Sequence, residues 1–563
     1  MRFGVKRFFS KNLAILMLFA VVLLLAFNAS CPSVAAYPDS SYYYKFIIGT
    51  EGSANVEINF SSTDLSGLSW LVVPKLSSWN YTVTNGSILH SENVSTVDVG
   101  LEDFYFYQVF RFSYQSTSSF TMTVRFHFNY AALIIEPSGI FFSSLIGYLQ
   151  DGATSGKAEI LFDSHFTVNL QNAIAIGTYT YRPSESSSNR VLFNIPNSEN
   201  VLRLQVEFTS NLPLQSKTLN SANSVFTFNT PNRYEEYAKN ILNLYDTLYN
   251  SYVDEFNLTL GEIGAQFFIP EFEEFQTLGG YVPFSEKGAG EINLNVFFIR
   301  AVNGTMEVIA AHELIHHFVY ESGISPSSFL WFHEGLAQYI SVVTVGNLGY
   351  EGAEYEEERL ENSSSELIHL LGGQHFGFLQ DWNPYQSPAN VGNDYAASYY
   401  VVSRLAQNYG GIEYYKRFFE LIHDVSIDDI DILTLYLSKA ANTSVASTLQ
   451  GWGFKVIDLY AYPEISEKIV EAQKAIAAVN PIFQLYKFLA EFFYRLALNS
   501  FRQGDITGGD HWLQLATATA NSAPILTLLT ITVLFGIVGY ILYIHHKKAK
   551  LKYPIPSVPQ PLP

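Results

Sequence analysis

From about residue 37 to 230, apolar and polar positions alternate in short runs. Tyr42 to Ile48, Val56 to Phe60, Phe104 to Phe112, Phe120 to Tyr130, Ala158 to Phe162 and Leu202 to Phe208 are rich in aromatic and β-branched residues, and Ser, Asn and Gly separate them. A period near two predicts strands, and strands at such spacing predict a sandwich or related all-β domain over 37–230. Past residue 231 the period lengthens. Tyr234 to Tyr252 reads as a helix and Gly261 to Ile269 as a strand. Gly288-Ala289-Gly290 then turns into an alternating run, Glu291 to Phe298, which predicts an edge strand able to pair with an extended peptide. Two apolar helices follow. One holds Val308, Ile309, Leu314, Ile315, Phe318 and Val319, and opens near Asn303-Gly304-Thr305, where Asn or Thr can cap it. The other covers Phe329 to Ile340. Glu351 to Glu361 is acidic and reads as a solvated helix face, and the pattern from Tyr395 to about Tyr462 is helical with breaks at Gly410-Gly411 and Gly451.

The two ends follow a different pattern. Residues 463–522 predict a helical stalk interrupted at Pro481 and at Gly504 to Gly509. Ala523 to Ile544 is then apolar and uncharged over 22 residues. At 1.5 Å per residue that length crosses about 30 Å of hydrocarbon, so 523–544 is expected to be a single transmembrane helix. His545 to Lys552 is basic, which predicts a cytoplasmic tail over 545–563 with the bulk of the chain outside, a type I arrangement in the cell membrane. At the start, Arg2, Lys6, Arg7 and Lys11 precede an apolar run from Leu13 to Phe27, and Ser33-Val34-Ala35-Ala36 closes it. That is the layout of a secretory signal peptide over 1–36, with an uncleaved anchor as the alternative.

Composition sharpens this in three ways. Of 563 residues 48% are hydrophobic, enough for more than one core, which with the patterning predicts a multidomain α+β chain. The net charge of −20 gives no support for nucleic-acid binding. The single cysteine, Cys31, excludes a disulfide-built scaffold. Sequons at Asn59, Asn80, Asn85, Asn93, Asn257, Asn303, Asn362 and Asn442 fit an external glycoprotein.

The chemistry sits in the two apolar helices. Residues 312–316 read His-Glu-Leu-Ile-His, and Glu334 follows eighteen positions after the second histidine. Four residues apart on a helix is one face, so His312 and His316 can hold one ion, with a third ligand completing an open site. Glu313 lies beside them, where it can take a proton from water. An unpaired carboxylate at Glu334 would be costly in so apolar a helix, which argues for a cation.

The pairing of H-E-x-x-H with the segment Trp331-Phe332-His333-Glu334-Gly335-Leu336-Ala337-Gln338-Tyr339 resembles the gluzincin zinc peptidases. It is closest to the aminopeptidase N family, with thermolysin more distant. The resemblance implies one zinc held by His312, His316 and Glu334, with Glu313 as general base. It also implies a thermolysin-like catalytic domain over 231–462 with a helical C-terminal half. The interval to Glu334 is one residue shorter than is usual in that family. The family's catalytic tyrosine matches Tyr395, which opens a helix and would oppose charge on the tetrahedral oxyanion; Tyr399 and Tyr400 compete for the role. Gly-Ala-Gly-Glu-Ile partly resembles the family's substrate segment, which makes Glu291 the candidate anchor for a free amine, although the methionine and asparagine of that segment are missing. Gln338 is placed to orient a ligand histidine. His317 and His333 are expected to face away, as structural or solvent-facing residues. The function implied is a membrane-anchored external zinc metallopeptidase acting on peptides or proteins. A non-catalytic surface protein with a peptidase-like domain is the rival, and aminopeptidase against endopeptidase action stays open.

Overall fold

Tyr42, Tyr44, Phe46 and Ile48 point inward from alternate positions of the strand Ser40–Ile48, and that alternation sets the first half of the molecule. The strand lies inside a seven-stranded sheet, parallel to Thr154–Phe162 and antiparallel to Ala54–Ser62. The structure is a computed structural model that describes residues 40–150, 154–285, 288–384, 390–423, 425 and 427–552. The expected signal peptide and the proline-rich end, 553–563, lie outside the described residues.

Residues up to Leu214 form one unit, and Gln215 onward a second. In the first, the seven-stranded sheet and a six-stranded sheet share one aromatic core, with Phe46 against Phe141 at 5.5 Å and Phe162 against Phe208 at 5.1 Å between ring centres. A third, three-stranded sheet completes it. The N-terminal β domain is therefore present, but it ends at Leu214 rather than 230. The strands Ser216–Asn220 and Phe226–Pro231 belong to the second unit, because Phe226–Pro231 pairs in parallel with Ile263–Phe268.

The second unit begins with a five-stranded sheet in the order Ser216–Asn220, Phe226–Pro231, Ile263–Phe268, Ile292–Asn295, Gly280–Tyr281. Ile292–Asn295 is thus not an edge: Gly280–Tyr281 pairs antiparallel outside it and takes the edge position. Nor does the strand run to Phe298. The buried Asn295 side chain accepts a hydrogen bond from the Phe297 amide and turns the chain into a 3-10 turn, Val296–Arg300.

Eleven helices are described in this unit: α1 (Glu235–Phe256), α2 (Thr305–Glu321), α3 (Pro326–Asn347), α4 (Glu351–Leu371), α5 (Val391–Tyr409), α6 (Ile412–Leu421), α7 (Ile430–Ala441), α8 (Ala446–Gly451), α9 (Pro463–Ala477), α10 (Gln484–Arg502) and α11 (Ile506–Lys552). Two sequon asparagines, Asn257 and Asn442, take left-handed conformations (φ 53° and 54°) and end α1 and α7, a role for which Asn is tolerated. The acidic run forms α4; Gly352, Ala353, Leu360, Ser364 and Leu367 face inward, while Glu356 pairs with Arg359 and Glu361 with Arg404. The stalk is not a separate segment ending at 522. α9, α10 and the first part of α11 pack together, and α11 runs unbroken across 522 and past Pro524. Among the described residues α11 is the one helix long and apolar enough, by length and composition, to cross a membrane.

Candidate metal centre

α2 starts without a side-chain cap. Gly304, at φ 105°, occupies the N-cap, and a Cβ there would lie 2.6 Å from Cβ of Tyr350, so neither Asn303 nor Thr305 does the expected capping. The helix is apolar on nearly every side and is buried among α1, α3 and the sheet. α3 begins at the Ser325 cap, whose hydroxyl accepts from the Ser327 amide, and is kinked at Phe329 (φ −142°, ψ 54°). Glu334 lies just over one turn beyond the kink.

α2 and α3 bring His312, His316 and Glu334 together. Glu334 Oε2 is 3.2 Å from His312 Nε2 and 3.6 Å from His316 Nε2, and the three ligand atoms all lie within 4.8 Å of one another. Tetrahedral ligands at about 2.1 Å from a common ion stand about 3.4 Å apart, so this spacing suits zinc. The buried Glu334 Oε2 thus lies between two imidazoles, a close approach of donors that a cation would hold together. Two imidazoles and a carboxylate with a free fourth position form an open zinc donor set.

The surrounding charges are strongly coupled. Burial pushes the Glu313 carboxyl up to about 8, with Glu334 adding and His312 opposing. Burial holds His316 well below the usual imidazole range, which favours the neutral form that a metal needs. At His312 burial acts downward, but the carboxylates of Glu334 and Glu313 outweigh it and the net shift is up.

Glu313 is buried beside the edge strand: a Cβ on Gly280 would come within 2.9 Å of its Oε1. Tyr395 opens the second turn of α5, close enough to the cluster for its charges to act on the phenol. The Glu334 carboxylate, then burial, then Glu313 raise its phenol well above the ordinary value. Its ring meets Trp382 edge-on at 5.2 Å. The competing tyrosines point elsewhere. Tyr400 receives a hydrogen bond from Gln374 and packs on Phe376 and Trp452, and Tyr399 is buried under the charges of Glu361 and Glu357.

Glu291 is not brought to this cluster. It is exposed, with its carboxylate over Gly264, and strand alternation sets it opposite Ile292 and Leu294. Leu294 pairs with Gly280, the residue that faces Glu313, so Glu291 lies on the other side of the sheet. Gln338 is buried with no partner on Oε1, so no hydrogen bond to a ligand imidazole is formed through that atom. His317 and His333 are structural and not solvent-facing: both are buried, His333 Nε2 meets the Ile324 carbonyl at 2.7 Å, and its ring stacks on His316 at 5.9 Å.

Three neighbours of the site escape a reading by motif. Gly280 leaves room for Glu313, Phe284 sets its ring edge-on to His316 at 6.1 Å, and Glu356 on α4 is close enough for its charge to act on His312. The Gly279-Gly280 pair is the one signal in the sequence for any of them.

The sequence matches no family model and no curated protein. Among solved structures, native leukotriene A4 hydrolase from Saccharomyces cerevisiae aligns with a TM-score of 0.31 at 14% identity, covering 80% of this chain and 76% of that one. A second structure of the native yeast enzyme gives a TM-score of 0.30 at 12% identity over 86% and 84%. Legionella pneumophila aminopeptidase A in complex with aspartic acid gives 0.27 at 14% identity over 74% and 49%. Likenesses of this size leave the argument to the site itself.

Proposed function

We propose that this chain is a zinc metallopeptidase, anchored to the cell membrane by α11 with its catalytic unit outside. The observation that carries the reading is the cluster of His312, His316 and Glu334, whose ligand atoms all lie within 4.8 Å of one another, with Glu313 and Tyr395 near enough to feel the Glu334 charge. Zinc, when bound, supplies a Lewis acid that polarises the scissile carbonyl and makes its water acidic, with a pKa of about 7. Glu313 accepts the proton from the attacking water and delivers it to the leaving amine. Its burial keeps bulk water from competing for that proton. The Tyr395 phenol donates to the carbonyl oxygen as negative charge develops there. Intact ligands and an intact base weigh against a purely structural surface protein.

The position of Glu291 supports endopeptidase action, since no amine anchor is supplied from that residue. One experiment tests both parts: digestion of a peptide library, with free and with acetylated N-termini, by the full-length protein and its Glu313→Gln variant. Cleavage of both series by wild type and of neither by the variant is expected. Equal cleavage by the variant would sink the peptidase reading, and cleavage of free N-termini alone would turn it to an aminopeptidase.

A further inference from the structure

α11 is amphipathic as far as Ala523, which is fully buried against the bundle. From Ile525 onward its apolar side chains, Leu528 and Leu529 among them, project away from protein. At this level the helix still has one neighbour. α10 runs antiparallel beside it: Phe493 stacks on Trp512 at 5.8 Å, and Tyr486 donates to the Leu526 carbonyl at 3.1 Å and also meets the Thr530 hydroxyl. The start of α10 therefore lies level with the first turns of the exposed apolar helix.

That start carries apolar side chains on its outer face. Leu485, Phe488 and Phe492 follow at helical spacing, and Ile482 precedes them in the 3-10 turn Pro481–Phe483. All four are exposed, Ile482 to 79% and Phe488 to 63%. The inner face is separate and complete: Ala490, Tyr494, Ala497, Leu498 and Phe501 are buried. Farther along the same outer face the character changes, to Arg495 beside Asp428. An apolar tip grading into charge within about three turns is not what a helix in bulk water shows. Asn480, Gln484 and Lys487 at the tip limit how far it can sink, so it suits the boundary between headgroups and hydrocarbon.

We infer that the turn at Pro481–Phe483 and the first two turns of α10 form a shallow wedge in the outer leaflet, with Ile482, Leu485, Phe488 and Phe492 in contact with lipid. The inference rests on the reading that α11 crosses the membrane. Continuity names the occupant. The patch adjoins the apolar part of α11 at the same level, so any bilayer that takes up Ile525 to Leu529 also reaches Phe488.

The test uses the full-length protein with Cys31→Ser, reconstituted in phosphatidylcholine vesicles. Single cysteines carry a nitroxide at Phe488→Cys, Phe492→Cys, Phe535→Cys and, as an aqueous reference, Glu464→Cys. Collision rates with oxygen, which partitions into lipid, are compared with those of a water-soluble nickel chelate. Oxygen collisions are expected to exceed nickel collisions at Phe488→Cys and Phe492→Cys, by less than at Phe535→Cys, with the order reversed at Glu464→Cys. Nickel dominating at both 488 and 492 while Phe535→Cys reads deep overturns the wedge and leaves the membrane span standing. Nickel dominating at Phe535→Cys removes the span, and the wedge with it. Dipolar broadening between labels at Phe488→Cys, with oxygen and nickel both excluded, assigns the patch to a second copy of the chain and also overturns the wedge.

Discussion

Tyr395, the proposed oxyanion donor, shows how little separates one tyrosine from its neighbours in a helix. Tyr395 and Tyr399 are one turn apart, and Tyr400 follows. Spacing alone leaves all three open. What distinguishes Tyr395 is the packing of α5 on α3, which brings it within range of the Glu334 and Glu313 charges, whereas Tyr399 lies near Glu361 and Glu357 and Tyr400 packs on Trp452. Tyr395→Phe is therefore expected to lower kcat about 10²–10³-fold while zinc content, measured by atomic emission, stays at one per chain. An unchanged rate would remove the phenol from the reaction. The cluster of His312, His316 and Glu334 was legible for the opposite reason. A four-residue spacing within a helix decides by itself that His312 and His316 share a face, and the cost of a lone carboxylate draws in Glu334. Glu291 misleads because a local motif says nothing about which face of a sheet a residue takes. That depends on a neighbouring strand, Gly280–Tyr281, too short to stand out in the pattern.

At the scale of elements, two close contacts between helices can be probed, the first of them beside the site. Gly335, next to Glu334 of the cluster, packs against α5, where an added Cβ would stand 2.6 Å from the Ser398 carbonyl oxygen and from a methyl of Val402. Gly335→Ala must push α3 and α5 apart. A loss of about 1–3 kcal/mol in urea unfolding is expected, with turnover falling more than zinc affinity because Tyr395 and Glu334 are carried by different helices. A wild-type unfolding midpoint would show that the helices give freely. The second contact is between α1 and α6. Burial near Glu413 and Asp254 raises the Glu255 carboxyl to about 7, from 4.5. The folded protein then holds this proton more tightly than the unfolded chain, so stability is lost as pH rises from about 4.5 to about 7 and is level above. Glu255→Gln removes that loss. Its stability relative to wild type is expected to rise by about 2 kcal/mol between about pH 4 and about pH 8. A gap independent of pH would mean that the carboxyl titrates normally.

For the molecule as a whole, the strand and helix periods located both units and the apolar span, but not the border between the units. Ser216–Asn220 and Phe226–Pro231 read locally like the strands before them, and only the pairing of Phe226–Pro231 with Ile263–Phe268 assigns them to the sheet of the second unit. The proposed topology is tested on sealed cells. Added protease is expected to digest the catalytic unit and to spare a tag placed after Pro563, and loss of the tag would reverse the orientation. The continuity of α11 has a further consequence. Arg502 on α10 binds Asp431 on α7 at 2.7 Å, Tyr414 on α6 reaches the Leu437 carbonyl of α7 at 3.2 Å, and Tyr415 on α6 reaches the Val402 carbonyl of α5 at 2.8 Å. Bonded helices thus lead from the apolar span to Tyr395 without a slack tether. In the proposed membrane-anchored peptidase, the site groups would then work at a set height above the lipid. For substrates embedded in the same membrane, that height would act as a ruler. A bond on a tether of matching length meets the site at high effective concentration, whereas one on a shorter stem does not reach it, whatever its sequence.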